Sequence, residues 1–214
     1  MPESKAPAPQ LAKPHKAPAI PTVQIENLSD WEHTLQAIQA CNACELAQSC
    51  TRKVPGKGSQ QASLMIIGEA PGHDEDQQGL PFVGRAGQLL NKMLSAINIE
   101  SESVYITNIL KCRPPNNRDP KVEEVRACSA YLRAQIALVK PDVLLSVGRI
   151  SAQNLLQDNS PVGQLRGRQF HLPDSEIPLL VTYHPAYLLR NPPEKAKVWE
   201  DLKALQRLLQ HAKH

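Results

Sequence analysis

No apolar run in this 214-residue chain approaches the roughly 20 residues that a bilayer-spanning helix requires. The first residues carry no hydrophobic stretch of the kind a secretory signal uses, so a cytosolic protein is expected. A strong excess of one charge is missing as well. The formal net charge is +3, so composition alone announces no nucleic-acid binder, and a polyanion-binding face must come from local clustering. There is no internal repeat. Structural disulfides have little place in a cytosolic protein. The five cysteines therefore call for another explanation.

What is present falls into two parts. Residues 1–24, "MPESKAPAPQLAKPHKAPAIPTVQ", are rich in Pro, Ala and Lys with almost nothing to bury, and read as a disordered or polyproline-like arm. Residues 25–214 read as one globular domain. Four nearly continuous apolar runs read as strands: "ASLMIIG" (62–68), "VYITNIL" (104–110), "DVLLSVG" (142–148) and "IPLLVTYH" (177–184). Helical patterns alternate with them. One opens at Ser29 as N-cap, another at Asp119 as N-cap with Pro120 in the first helical position. "AGQLLNKMLSAI", "RISAQNLL" and "PEKAKVWEDLKALQRLLQHA" supply the rest. Apolar strands alternating with helices belong to the α/β class. The expected architecture is a three-layer α/β/α sandwich with a central, mainly parallel four-stranded sheet.

In such sheets ligands bind beyond the carboxyl ends of the strands. Three polar segments fall there: "GEAPGHDEDQQGLPFVGRAG" (68–87), "TNILKCRPPNN" and "TYHPAYLLRNPP". The first resembles a phosphate cradle in its glycines, but Glu69, Asp74, Glu75 and Asp76 oppose that use. "PGKGS" (55–59) precedes a strand and lacks the full phosphate-loop spacing. A carboxylate at a strand end can instead position or activate water, and Glu69 is the candidate. Asn108 carries a carboxamide able to donate and accept on a nucleobase edge. His184 could donate to developing negative charge. Phe82 is a candidate for stacking on a planar ligand.

Cys41 and Cys44 form a C-x2-C pair, with Cys50 close behind; Cys112 and Cys128 follow far along the chain. Four thiolates from two distant places suit either tetrahedral zinc or a [4Fe–4S] cluster, and the residues alone do not separate the two.

The segments "CNACELAQSCTRKVPGKG", "GEAPGHDEDQQGLPFVGRAGQLLNKML", "VYITNILKCRPPNNRDP", "RACSAYL" and "HPAYLLRNPP" together resemble the family 4 uracil-DNA glycosylases, the iron–sulfur branch of that superfamily. The resemblance implies a [4Fe–4S] cluster on Cys41, Cys44, Cys112 and Cys128, with no assigned role for Cys50. It implies hydrolysis of the N-glycosidic bond of a flipped-out uracil, in double- or single-stranded DNA, by a monomer acting at the nucleoid. Glu69 would orient water and His184 would donate to uracil O2. Asn108 would read the base edge and Phe82 would stack on the ring. Gly68, Ala70 and Glu75 would complete the base pocket, Glu75 or the Ala70–Pro71 backbone excluding thymine. Leu188 or Leu189 would fill the space left by the base, while Arg190, Arg166 and Arg168 would meet phosphate. Some relatives bond covalently to the abasic sugar through a histidine in a basic insert. The stretch "KCRPPNNRDPKVEE" has neither, so turnover is expected. The competing readings are a non-catalytic DNA-binding module and a metal-dependent hydrolase built on the acidic loop.

Overall fold

The computed structural model describes residues 28–173 and 175–212, so the segment read as an arm, 1–24, lies outside the described residues. Helices α1 (Trp31–Ala40) and α2 (Leu46–Ser49) precede the sheet. The chain then runs β1 (Lys57–Gly58), β2 (Leu64–Gly68), α3 (His73–Gln78), α4 (Arg85–Ser95) and β3 (Tyr105–Asn108). It continues α5 (Val122–Val139), β4 (Val143–Val147), α6 (Arg149–Leu156), α7 (Val162–Leu165), β5 (Gln169–His171) and β6 (Pro178–Thr182). It closes with α8 (Pro185–Arg190) and α9 (Lys195–His211). No helix among the described residues is long and apolar enough to cross a membrane.

The sheet has six strands in the order β1-β3-β2-β4-β6-β5, where four were expected. The four expected strands are its parallel centre. β1 and β5 are antiparallel edges. They escape a periodicity reading because they are two and three residues long, "KG" and "QFH", and carry no apolar run. Edge strands need only one hydrogen-bonded neighbour, so apolar content is not demanded of them.

Alternating residues of the central strands feed two cores. Leu64, Ile66, Ile106, Leu145 and Leu180 pack with Leu90 and Leu94 of α4 and with Val198, Leu202 and Leu205 of α9. Met65, Ile67, Tyr105, Leu144 and Leu179 pack with Leu132 and Val139 of α5 and Leu155 of α6. The sheet is therefore covered on both faces, which is the expected three-layer arrangement.

Two helix starts differ from expectation. α1 is capped by Asp30 rather than Ser29: its Oδ1 accepts the His33 N–H at 2.9 Å. α5 begins at Val122, because Glu124 accepts the Lys121 N–H at 2.7 Å, while Asp119 is drawn away to Arg149 at 2.5 Å.

From β2 the chain passes to β3 on one side, and from β4 to β6 on the other. The crevice between the ends of β2 and β4 is thus the point where strand order reverses, the place such sheets use for ligands.

Candidate active site

One pocket opens at that crevice, lined by the ends of β2, β3, β4 and β6 and by the segments after them. Glu69, Asn108, His184, Phe82, Ala70, Glu75 and Arg190 all contribute to its wall. Residues drawn from four distant stretches of chain meet there because parallel strands present their carboxyl ends on one side.

Glu69 follows β2. Its Oε1 accepts the Ile150 N–H at 2.9 Å, a donor left free at the start of α6. Burial pushes the Glu69 carboxyl above its usual range; the Ile150 N–H and the Arg149 charge pull it back in part. Gly148 makes the approach possible. Its φ is +102°, and a Cβ there would lie 2.5 Å from Glu69 Oε1 and 3.0 Å from the His184 Cβ.

His184 lies two residues beyond β6 and caps α8, whose first residue is Pro185. Its Nδ1 accepts the Ala186 N–H at 3.1 Å, so in the neutral ring the proton sits on Nε2, free to donate into the pocket. Burial first, and then the charge of Arg190, push the imidazole down to about 4. At neutral pH it is an uncharged donor.

Asn108 is 2% exposed at the end of β3, paired in register with Gly68. A Cβ on Gly68 would lie 2.3 Å from Asn108 Oδ1 and 2.7 Å from Phe82 Cζ. Glycine at 68 is what lets the amide and the phenyl ring close over one floor. Phe82 itself has φ +52°, a left-handed backbone that costs about 1–3 kcal/mol in a residue with a side chain. Gly87 accommodates that turn, since a Cβ there would sit 1.9 Å from the Phe82 carbonyl oxygen. The Phe82 and His184 rings face each other at 5.7 Å between centroids, 29° apart in plane.

The acidic loop divides by role. Glu75 accepts the N–H groups of Gly72, Val83 and Gly84 at 3.2, 2.9 and 3.1 Å. Buried Asp76 accepts the Thr51 N–H at 2.9 Å. These two carboxylates hold backbone in place of a phosphate, while Glu69 accepts a single backbone N–H and lines the pocket; Asp74 is exposed. Glu75 also reaches the pocket wall.

In the segment after His184, Leu188 is fully buried in the core and Leu189 is 37% exposed, so of the two Leu189 is the one at the surface. Arg166 is corrected from a free phosphate contact to a strut. It pairs with buried Asp201 at 2.6 Å, bonds the Lys197 carbonyl, and lies over the Tyr183 ring. Asp201 in turn accepts from Thr182 at the end of β6. Arg168 is exposed, over Phe170 at 5.0 Å. The pocket rim instead carries Arg118 and Arg149, with Tyr183 and Tyr187 beside them. Sequence reading missed these four. Arg149 had a usable signal, since it follows Gly148 at a strand's carboxyl end.

A second cavity lies among the cysteines. Cys41, Cys44, Cys112 and Cys128 line it together with apolar side chains such as Ile38, Leu46 and Leu110. Cys50 packs against the same cluster without lining the cavity. All five thiols are free. Burial pushes Cys44 and Cys112 up and Cys128 up to about 11, so the protein alone favours neutral thiols there. Among the described residues no three Cys, His, Asp or Glu side chains close on one point as a single metal ion requires. Four thiols around an apolar cavity, with no carboxylate in its lining, fit a thiolate-bound metal centre.

Comparison with known proteins gives concordant matches. The profile of the family described as "Uracil DNA glycosylase superfamily" matches residues 55–203. The chain is 40% identical over 190 residues to the Type-4 uracil-DNA glycosylase of Archaeoglobus fulgidus, covering 86% of this chain and 94% of that protein. It is 41% identical over 158 residues to the Type-4 uracil-DNA glycosylase of Thermotoga maritima, covering 73% and 81%. The Type-5 uracil-DNA glycosylase of Thermus thermophilus is 32% identical over 152 residues, covering 62% and 68%.

Proposed function

Because this chain belongs to the uracil-DNA glycosylase superfamily, we propose that its pocket receives a uracil flipped out of DNA and that Glu69, Asn108, Phe82 and His184 carry out the excision. The protein is a monofunctional uracil-DNA glycosylase. It hydrolyses the N-glycosidic bond, leaves an abasic site and so starts base excision repair.

The observation that carries the assignment of roles is a set of unclaimed polar atoms. Glu69 Oε2, the Asn108 carboxamide and His184 Nε2 make no hydrogen bond to another described residue. Buried side-chain atoms without a partner are confined, among the described residues, to Asn91 and Glu194, so these three are open to the pocket. A polar set left waiting around a glycine floor and a phenyl ring suits a flat, hydrogen-bonding base.

The chemistry follows from charge. As the bond breaks, negative charge grows on the uracil ring and positive charge on the sugar. Neutral His184 donates Nε2–H to O2, a fixed donor aimed at a developing anion. Glu69, ionised and held by the start of α6, stabilises the sugar side and orients the attacking water. Asn108 accepts from N3–H and donates to O4. Cytosine presents the opposite pattern and would leave the amide unpaired in a buried site. Glu75, with the Ala70–Pro71 backbone, forms the wall against a methyl at C5. Leu189 occupies the place of the extruded base, and Arg190 meets phosphate. Flipping costs a few kcal/mol, least for a mispaired or unpaired uracil, so both strand states are substrates for a monomer.

Cys41, Cys44, Cys112 and Cys128 would hold a [4Fe–4S] cluster, which supplies a fixed tie between three chain segments and takes no part in the hydrolysis. Residues 25–214 form the glycosylase domain in this reading, and 1–24 a separate arm.

The test is alkaline cleavage of a uracil-containing oligonucleotide against a matched one without uracil. Strand scission confined to the uracil site is expected. Binding without scission would leave only a DNA-binding module. Activity unchanged by EDTA is also expected, since Glu75 and Asp76 are spent on backbone N–H groups and are not free for a hydrolytic metal.

A further inference from the structure

Among the largest fully buried side chains is a lysine. Lys111, 2% exposed, lies between Asn108 and Cys112. Its Nζ donates to Thr107 Oγ1 and to the Asn108 carbonyl, both at 2.7 Å. Its own N–H donates to Cys128 Sγ at 3.3 Å, and its side chain lines the cysteine cavity. No carboxylate among the described residues pairs with it. Two neutral oxygens hold this ammonium, so where they sit and where it sits are one question. Thr107 is anchored in turn: its hydroxyl donates to the Pro55 carbonyl at 2.7 Å, and Gln135 donates to that same carbonyl at 2.8 Å.

A second buried charge lies in α3. Asp76, 3% exposed, accepts the N–H of Thr51, the residue after Cys50. Its neighbour Glu75 holds the N–H groups of Val83 and Gly84, next to Phe82. Each wall of the base pocket is therefore tied to the cysteine segments through a buried charged side chain. Lys111 serves the Asn108 wall and Asp76, through Glu75, the Phe82 wall.

We propose that Lys111 and Asp76 are positioning residues that make recognition of uracil depend on a filled cysteine centre. The inference rests on the glycosylase reading above. Filling the centre pins residues 41–44, 112 and 128 to one another. Lys111 precedes Cys112, Thr51 follows Cys50, which packs against the same cluster, and through them Asn108 and Phe82 keep their places over Gly68. An empty centre leaves the same segments held by side-chain packing and a few hydrogen bonds, such as Lys111 N–H to Cys128 Sγ. Neither residue touches the base.

The experiment measures affinity rather than turnover. Binding of an oligonucleotide carrying 2′-fluoro-deoxyuridine, which resists hydrolysis, is compared with binding of its undamaged counterpart by fluorescence anisotropy. Iron content and visible absorbance are read on the same samples. Lys111→Met preserves length and removes the donor. It is expected to keep iron and undamaged-DNA affinity while losing about tenfold of the preference for uracil, the size expected when a charged hydrogen bond is lost. Asp76→Asn is expected to lose less, since its amide oxygen still accepts. Thr107→Val should lose part of the preference and Thr107→Ser restore it, which decides the matter if Lys111→Met does not fold. Removing iron from the wild type should lower the preference as Lys111→Met does, with little further loss when both are combined.

A preference for uracil kept at the wild-type level in iron-loaded Lys111→Met, or in Thr107→Val should the former not fold, overturns the proposal while leaving the glycosylase reading intact. The same holds for a preference that survives iron removal. A wild type that shows no preference at all, and no alkali-labile product, removes the underlying reading with it.

Discussion

The base pocket and the cysteine centre stand on the same side of the sheet, and both bury groups that the chain itself leaves unfinished. They differ in what is left over. In the pocket the unclaimed atoms are polar and mixed in kind: a carboxylate oxygen, an amide and an imidazole N–H, in a cleft open to solvent. In the centre they are four like thiols in an apolar cavity, with Cys44, Cys112 and Cys128 pushed toward neutrality by burial. The first arrangement suits a ligand that enters, is read and leaves. The second suits a resident group that is never read at all. In the proposed reading catalysis and architecture are thus kept apart, with Lys111 and Asp76 linking them.

That contrast can be broken most sharply at Glu69. Glu69→Gln is expected to lower kcat by about 10²–10⁴ with little change in melting temperature or iron content. An equal loss of stability would place Glu69 in the architecture instead. His184→Ala follows, with about 10²–10³ in kcat. The two are separated by pH. Glu69 must be ionised, and its pKa is raised by burial, so activity falls as pH drops through that raised value. His184 stays neutral at every pH above about 4 and contributes nothing to that limb. The acid limb should persist in His184→Ala and vanish from the residual activity of Glu69→Gln; the reverse outcome would exchange their roles.

Gly68→Ala tests the floor. Its Cβ would enter within 2.3 Å of Asn108 Oδ1, and a loss of about tenfold in kcat/KM for uracil is expected, through displacement of an amide hydrogen bond. Cys128→Ser tests the other region: bleaching of the visible chromophore and a lower melting temperature, with the residual enzyme still selective for uracil over thymine, read by product analysis. A colourless wild type holding zinc would overturn the cluster. The smallest effect belongs to Leu189→Ala, a few-fold rise in KM on duplex substrate and none on single-stranded, where no base stack is left to fill. No covalent adduct should form with abasic DNA on a denaturing gel.

Much of this was legible in the residues. Central strands and the alternation with helices follow from apolar runs, the candidates Glu69, Asn108 and His184 from the polar residues at or just beyond their ends, and Phe82 from being one of two phenylalanines. The edge strands did not, because two or three polar residues pairing on one side leave no pattern. Ser29 and Asp119 were reasonable caps on composition, yet Asp30 and Glu124 made the bonds, since capping is decided by which oxygen reaches the free N–H. Arg166 looked like a surface cation until Asp201, 35 residues away, took it inward. Leu188 and Leu189 are indistinguishable as letters and are separated only by the face of α8 that meets the core.

The sequence by itself determined the class of fold, the chemical groups available and, by resemblance, the family. Hydrophobic period and strand-end residue type are local properties, and a chain carries them in order. Only the tertiary structure decided which backbone N–H groups each carboxylate of the acidic loop receives. Glu69, Glu75 and Asp76 are chemically near-equivalent, and their fates diverge because the free N–H groups of distant segments, Ile150, Val83 and Thr51, arrive beside each one in a different number and direction.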